Sequence, residues 1–205
     1  MKISKRFIII NIISSVTIIF IVFFIFISID FFYQKKNVLN QLKNINKTIS
    51  NSVSILLSIT VEDHLKMISQ KNNLAINEII KQLNIGMIDK NYAKNKIKNL
   101  LKSEKIGKTG YVFIWNIKDA PEKIILDLHP EIEGENVANI DFVQTGYKKK
   151  NGYIEYIWQN PSDPVPRYKS MYLNYLPELD WIICYSSYRD EFYYLFDIER
   201  LKKII

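Results

Sequence analysis

The sequence predicts an α+β fold in which a membrane-spanning helix and a long second helical stretch precede an antiparallel five-stranded sheet. Three observations carry that expectation: a charge-free apolar run at residues 7–29, an amphipathic stretch without proline or glycine from Asp30 to about Ile85, and a switch after Gly107 to short aromatic and β-branched runs separated by turn residues. Helix first and strands afterwards is the order of an α+β domain with helix laid on one sheet face.

Of the 23 residues from Phe7 to Ile29, 18 are Ile, Phe or Val and none is charged. A helix of that length reaches roughly 34 Å, enough to cross the hydrocarbon core of a bilayer with slight tilt. Asn11, Ser14, Ser15, Thr17 and Ser28 interrupt it, but they are uncharged and cost little beside the apolar gain. The run is longer than the apolar region of a removable signal peptide and does not end in a small-residue cleavage site. Lys2, Lys5 and Arg6 precede it and Asp30 follows. The positive-inside bias then keeps residues 1–6 in the cytoplasm and places 30–205 outside, as a single-pass protein of the cell (inner) membrane.

That orientation governs how the charge is read. The whole chain carries 28 Lys+Arg against 21 Asp+Glu, but three of the basic residues lie before the span, which leaves a surplus of only four outside. Scattered over a Lys-rich helical region, it is a solvated face, not a nucleic-acid footprint. A length of 205 residues allows one ordinary domain plus appendages. The single cysteine, Cys184, cannot form an internal disulfide and sits in the apolar run Trp181–Tyr185 as a small buried hydrophobe.

Residues 30–104 read as an extracytoplasmic helical region. Val38, Leu42, Ile45, Ile49, Val53, Leu56 and Ile59 recur in steps of three and four and put one stripe along one side, with Lys43, Asn44, Lys47, Asn51 and Ser52 between them. The near-heptad spacing fits a homodimer through residues 38–59 and equally fits packing on the chain's own domain. The pattern resumes at Leu65, Ile68, Ile76, Ile79, Ile80 and Leu83. Gly86 offers a stop and Asp89 a cap for a second helix over about 90–103, with Tyr92 or Ala93, Ile97, Leu100 and Leu101 on its apolar face. Five strands follow, at about 111–117, 123–129, 152–159, 167–175 and 181–188, divided by Pro121, Pro130 with Gly134, Asn151-Gly152, three prolines between 161 and 166, and Pro177. The last three, joined by short connections, form a meander. Arg189–Ile205 returns to helix as an exit segment.

Gly107-Lys108-Thr109 looks like the end of a phosphate-binding loop. That loop needs a glycine five residues earlier and a helix immediately after, whereas position 102 is Lys and Gly110-Tyr111-Val112-Phe113 opens a strand. The glycines instead reverse the chain from the preceding helix into the sheet.

The blocks "GKTGYVFIWN" (107–116), "HPEIEGENV" (129–137), "GYIEYIWQNP" (152–161) and "PRYKSMYLNYLPELDWIICYSSYRDEF" (166–192) resemble, in order, those of Cache-type extracytoplasmic sensor domains of bacterial signal-transduction proteins, most like a single Cache_2-type unit. The resemblance spans about 105–192, with 105–188 as the sensor domain proper. It implies a PAS-like antiparallel five-stranded sheet after the transmembrane and long juxtamembrane helices, and a pocket for a small molecule such as a short carboxylate or an amino acid. It implies the role of input domain of a histidine kinase, chemoreceptor or diguanylate cyclase. On matching positions the candidate ligand-binding residues are Tyr111, Phe113, Trp115, His129, Tyr156, Trp158, Arg167, Lys169, Tyr172 and, more weakly placed, Tyr188.

The residues give a physical reading beside this. Strand alternation puts Ile154, Tyr156 and Trp158 on one face and Tyr153, Glu155 and Ile157 on the other, and such aromatics fit either a pocket wall or a core. Arg167 and Lys169 share a face, as an anion site requires or as two solvated charges at a strand end. His129, before Pro130, fits a turn-stabilising hydrogen bond or a pocket contact. Glu62-Asp63 beside His64 cannot converge on a metal, so neither metal nor cofactor is expected. No nucleophile elbow occurs, and Glu131, Glu133 and Glu135 lie in a turn, so no catalytic residue is expected.

Two departures from the family pattern stand out. Asn139–Lys150 is short and Lys-rich where many Cache domains carry an Asp-x-Asn-Gly turn and a longer helical stretch, which implies a reduced lid. No second apolar span follows Phe192, and "DIERLKKII" (197–205) resembles "NKIKNLL" (95–101), as though a further unit or descending helix were beginning. The rival expectation is a non-sensing, membrane-anchored interaction protein that works through its juxtamembrane helix.

Overall fold

The structure, a computed structural model, describes residues 3–195. The chain divides into two compact units, Met1–Ser54 and Ile55–Ile205. The first is formed by the N-terminal part of helix α1 (Ile3–Asn84). Its side chains from Phe7 to Ile29 are exposed, and among the described residues α1 is the one helix long and apolar enough to cross a membrane. Val38, Leu42, Ile45 and Ile49 are exposed as well.

In the second unit the remainder of α1 packs on a sheet. Leu57, Val61, Leu65, Ile76, Ile79 and Ile80 are buried, with Ile68 and Leu83 partly so. The buried stripe begins one position away from the stripe read in the sequence: Leu56 and Ile59 remain exposed, and Leu57 and Val61 lead into Leu65. Two apolar stripes therefore share this helix, and the sheet covers only one. Helix α2 (Lys90–Lys102) starts where expected, with the Asp89 carboxylate accepting the Tyr92 N–H at 2.8 Å, and buries Ala93, Ile97 and Leu101.

The strands are β1 (Lys105–Ile106), β2 (Gly110–Asp119), β3 (Lys123–Asp127), β4 (Gly152–Trp158), β5 (Arg167–Leu176) and β6 (Trp181–Tyr188). All pairings are antiparallel in the order β1-β2-β6-β5-β4, with β3 also on β2. The five expected strands are present within two residues at each end, and the sixth is the two-residue β1, made where the chain reverses through Gly107. The final segment, Arg189–Leu195, is 3₁₀ and not α-helical, and the rest of the expected exit helix, 196–205, lies outside the described residues.

Alternation divides the sheet. Val112, Ile114, Ile183 and Tyr185 face α1 and α2, while Phe113, Trp115, Ile182, Cys184, Met171 and Leu173 face the other way. That second face is crossed by helix α3 (Asp141–Lys149), which forms in the short, Lys-rich segment expected to give only a reduced lid. Ile140, Val143 and Tyr147 repeat at helical spacing and join the same apolar cluster. Gly146 lets α3 approach: a Cβ there would stand 2.6 and 2.8 Å from two ring carbons of Trp115 and 3.2 Å from a Leu173 methyl.

Gly146→Val therefore forces the indole or the helix to move. It is expected to cost about 2 kcal/mol of stability, because overpacking outweighs the modest gain in helix propensity. Urea denaturation checks this, and an unchanged midpoint would contradict the packing described.

Candidate functional site

The face under α3 holds a small, tightly filled pocket that is partly open to solvent. Its wall comes from β2 (Tyr111, Phe113, Trp115), the end of β3 and the loop after it (Leu126, His129, Ile132, Val137), α3 and its entry (Ile140, Phe142, Val143), β4 (Tyr156, Trp158) and β5 (Lys169). Seven of the ten expected residues thus meet in one place. Adjacent registers bring them there: Tyr156 is opposite Lys169 across β4 and β5, and Lys169 is opposite Tyr188 across β5 and β6.

The polar end of the cavity is a connected hydrogen-bond network. His129 Nδ1 accepts the backbone N–H groups of Glu131 and Ile132 at 3.3 and 3.2 Å, so in the neutral ring the proton sits on Nε2. Nε2–H then donates to Tyr111 Oη at 2.8 Å. Tyr111 O–H donates to Asn160 Oδ1 at 3.1 Å, and Trp158 Nε1–H donates to the same oxygen at 2.8 Å. Both readings of His129 hold, one on each ring nitrogen: Nδ1 fixes the turn and Nε2 faces the pocket. Leu128, at φ 64°, turns the chain so that the next residue points inward, and its N–H is held by Glu133 at 3.0 Å. A bulky residue in the left-handed region costs roughly 1–3 kcal/mol, strain of the kind found beside ligand sites.

Lys169 is the charged member, only 1% exposed. Its ammonium donates to Tyr111 Oη at 2.6 Å and lies 4.2 and 5.1 Å from the ring centroids of Tyr111 and Tyr188. Among the described residues it makes no ion pair. Burial pulls its pKa down from 10.5 to about 8, against the pull of Asp163, Glu131 and Glu191. Burial, then the Lys169 charge, holds His129 at about 4. Burial pushes the Tyr111 and Tyr156 hydroxyls up, so both stay protonated and act as neutral hydrogen-bonding groups. Tyr156 O–H reaches Ser186 Oγ at 3.1 Å, and Ser186 in turn donates to the Ser170 carbonyl.

The apolar end is aromatic. Phe142 from α3 stacks on Tyr156 with centroids 4.0 Å apart and meets Trp158 edge-on at 5.6 Å. Outside the lining, Glu131 accepts from Ser162 N–H and Oγ–H at 2.9 and 2.8 Å, which ties the loop after β3 to the loop between β4 and β5.

Three expected residues do not line the cavity. Tyr172 lies on the opposite sheet face, packed with the α1 and α2 core, because it is an odd number of residues from Lys169. Arg167 shares the Lys169 face but is drawn to Asp190 at 2.6 Å, with its guanidinium 3.8 Å over the Tyr188 ring. Tyr188 donates to Asp163 beside the pocket. Conversely, Asn160 and Phe142 join the site without a sequence signal: Phe142 falls between the Ile140, Val143, Tyr147 steps of α3, and Asn160 sits in a proline-flanked loop.

A family model described as the Cache 3/Cache 2 fusion domain matches residues 73–197. A solved periplasmic sensor domain of a chemotaxis protein is similar at a TM-score of 0.52 and 14% identity, over 62% of this chain and 94% of that one. A Cache chemosensory domain described for carboxylic acid recognition is similar at 0.52 and 16% identity, over 62% and 92%. A methyl-accepting chemotaxis protein of Vibrio parahaemolyticus RIMD 2210633 is 23% identical over 64% and 97%, with a TM-score of 0.40. No curated protein sequence matches the chain.

The lowered His129 pKa has a consequence for acid stability. Between about pH 4 and 6.5 the unfolded chain binds the proton that the folded chain refuses. The contribution is therefore complete above pH 6.5 and is lost as pH falls towards 4. The wild-type chain is expected to lose about 2 kcal/mol across that window relative to His129→Gln, which has no imidazole to protonate. Denaturant titrations at pH 7 and 4.5 measure the difference, and equal losses in both proteins would contradict the assignment.

Proposed function

The chain belongs to the Cache 3/Cache 2 fusion domain family, and from that premise we propose that it is the extracytoplasmic small-molecule sensor of a bacterial signal-transduction protein. Residues 7–29 anchor it in the cell membrane. Lys2, Lys5 and Arg6 keep the N-terminus cytoplasmic, and residues 30–205 stand outside, with 105–188 as the sensor domain. It serves as the input domain of a chemoreceptor, histidine kinase or diguanylate cyclase, binding its ligand without turning it over. The first of these outputs is supported by the similarity to sensor domains of chemotaxis proteins.

The observation that carries the ligand reading is Lys169: a buried ammonium, held by a tyrosine hydroxyl, with no ion-pair partner among the described residues. A carboxylate brought beside it gains a charge-assisted hydrogen bond in a low-dielectric site, where such bonds are strongest. The rest of the lining narrows the class. It contains no Asp or Glu to receive an α-ammonium group, and much of it is apolar, with Phe113, Trp115, Phe142 and Val143 among its walls. The ligand is therefore a short monocarboxylate with an apolar tail, in preference to an amino acid. Carboxylic acid recognition described for a Cache domain of similar fold supports the same choice.

A second reading has its own observation. Val38, Leu42, Ile45 and Ile49 leave an exposed apolar stripe, which favours pairing with a second copy of the chain through residues 38–59 and is compatible with an interaction role in place of sensing.

Thermal denaturation of the 205-residue chain in detergent micelles separates the two readings. Saturating propionate or acetate is expected to stabilise by about 2–3 kcal/mol, raising Tm by several degrees. Alanine and glycine do not, and Lys169→Met removes the response while preserving the fold. Equal stabilisation of Lys169→Met, or no response from the folded wild type to any monocarboxylate, sinks the sensing reading and favours the interaction one.

A further inference from the structure

We propose that residues 190–192 form a junction that carries the state of the pocket to the segment leaving the sheet and to the His64 turn of α1, with Glu191 as its latch. The proposal deepens the sensor reading and rests on it for the nature of the signal, but the latch itself is built from residues outside the cavity lining.

The Gly107-Lys108-Thr109 triplet, which resembles a phosphate cradle in sequence, does hold an anion: the carboxylate of Glu191. Lys108 N–H and Thr109 N–H donate to Glu191 Oε2 at 2.9 and 3.0 Å, Ser187 Oγ–H donates to the same oxygen at 2.9 Å, and Thr109 Oγ1–H donates to Oε1. Four donors on one nearly buried carboxylate are a fitted socket, since consecutive backbone N–H groups make a natural anion nest. The glycines define its walls. A Cβ on Gly107, at φ 59°, would stand 2.9 Å from Glu191 Oε2, and one on Gly110 would stand 2.4 Å from both the Ile106 carbonyl and Ser187 Cβ. A side chain at either glycine would therefore collide with the socket.

Its neighbours in the chain make the other two contacts. Asp190 pairs with Arg167 at 2.6 Å, two residues before Lys169 on the same strand face. Phe192 is fully buried in the α1 core, its ring edge-on to His64 with centroids 5.5 Å apart. On the loop side, Thr109 is two residues before Tyr111, the acceptor of the Lys169 ammonium. The two residues that hold the charge of the pocket, Tyr111 and Lys169, are thus each a single dipeptide away from a contact of the junction. A ligand anion that competes with Tyr111 for Lys169 acts on both arms at once, through packed contacts with two discrete arrangements, latched and released.

Hydrogen exchange on the 205-residue chain in detergent micelles tests this. In Glu191→Ala the Lys108 and Thr109 amides are expected to exchange roughly tenfold faster, as loss of a charged acceptor implies, and the amides of 189–195 to accelerate by a similar factor with them. In the wild type, saturating propionate slows exchange in 108–109 and 189–195 together. In Glu191→Ala, propionate still protects strand β2 beside the cavity and no longer protects 189–195. Release of 108–109 with no change in 189–195 overturns the latch, as does propionate protection of 189–195 that survives in Glu191→Ala. A wild type without any response to propionate overturns the ligand reading instead, and the joint acceleration in Glu191→Ala then decides the latch alone. Should Glu191→Ala not fold, Thr109→Val removes one donor and must produce the same joint acceleration at about threefold.

Discussion

A buried lysine ammonium fixed to a tyrosine hydroxyl is the interaction on which the rest of this domain's chemistry depends. Lys169 lies on β5 between β4 and β6, where water cannot solvate it and, among the described residues, no carboxylate comes within ion-pair distance. Its hydrogen-bond acceptor among the described residues, Tyr111 Oη, is oriented by two further groups: His129 donates to it and Asn160 accepts from it. The chain therefore maintains a positive charge whose field points into an aromatic cavity. A buried charge without a partner is unfavourable for stability, and retaining one is reasonable where a ligand supplies the missing anion.

The architecture divides two tasks between the faces of one sheet. The face towards α1 and α2 is filled by aliphatic side chains in register with the helices and supplies most of the cohesion. The other face trades part of its core for a cavity, which α3 covers by setting Gly146 directly on Trp115. Strands hold Tyr111, Tyr156 and Lys169, while the loops after β3 and β4 are joined through Glu131 and Ser162. The exit segment then reaches the β1–β2 turn through Glu191 and the helical core through Phe192, while Asp190 holds Arg167 of β5.

Much of this was legible in the sequence, for physical reasons that also mark where legibility ends. Strand positions could be read because aromatic alternation has a period of two and because proline and glycine punctuate it. The same parity identifies Tyr111, Phe113, Trp115, Tyr156, Trp158 and Lys169 as one surface, and applied strictly it would also have set Tyr172 on the other. Arg167 has the right parity but the wrong neighbour: Asp190, 23 residues away, claims it, and pairings at that distance are decided by topology. Helix α1 carries two apolar stripes, of which periodicity shows the 38–59 one, and only the sheet selects Leu57 and Val61 over Leu56 and Ile59. Helix α3 was hidden by its lysines, which obscure the Ile140, Val143, Tyr147 spacing. The triplet at 107–109 lacks the upstream glycine and following helix of a nucleotide loop, yet its backbone N–H groups hold an anion, a carboxylate of the same chain.

The central claim is that Lys169 is a buried cation completed by a ligand carboxylate, and direct titration of its side chain by NMR, with 13C-labelled lysine in the 205-residue chain, tests it. The account predicts a Lys169 resonance titrating near 8 in the free protein, as burial dictates, and shifting upward once propionate is added, because the anion favours the charged form. A titration at the ordinary lysine value of about 10.4, unmoved by propionate, would contradict it.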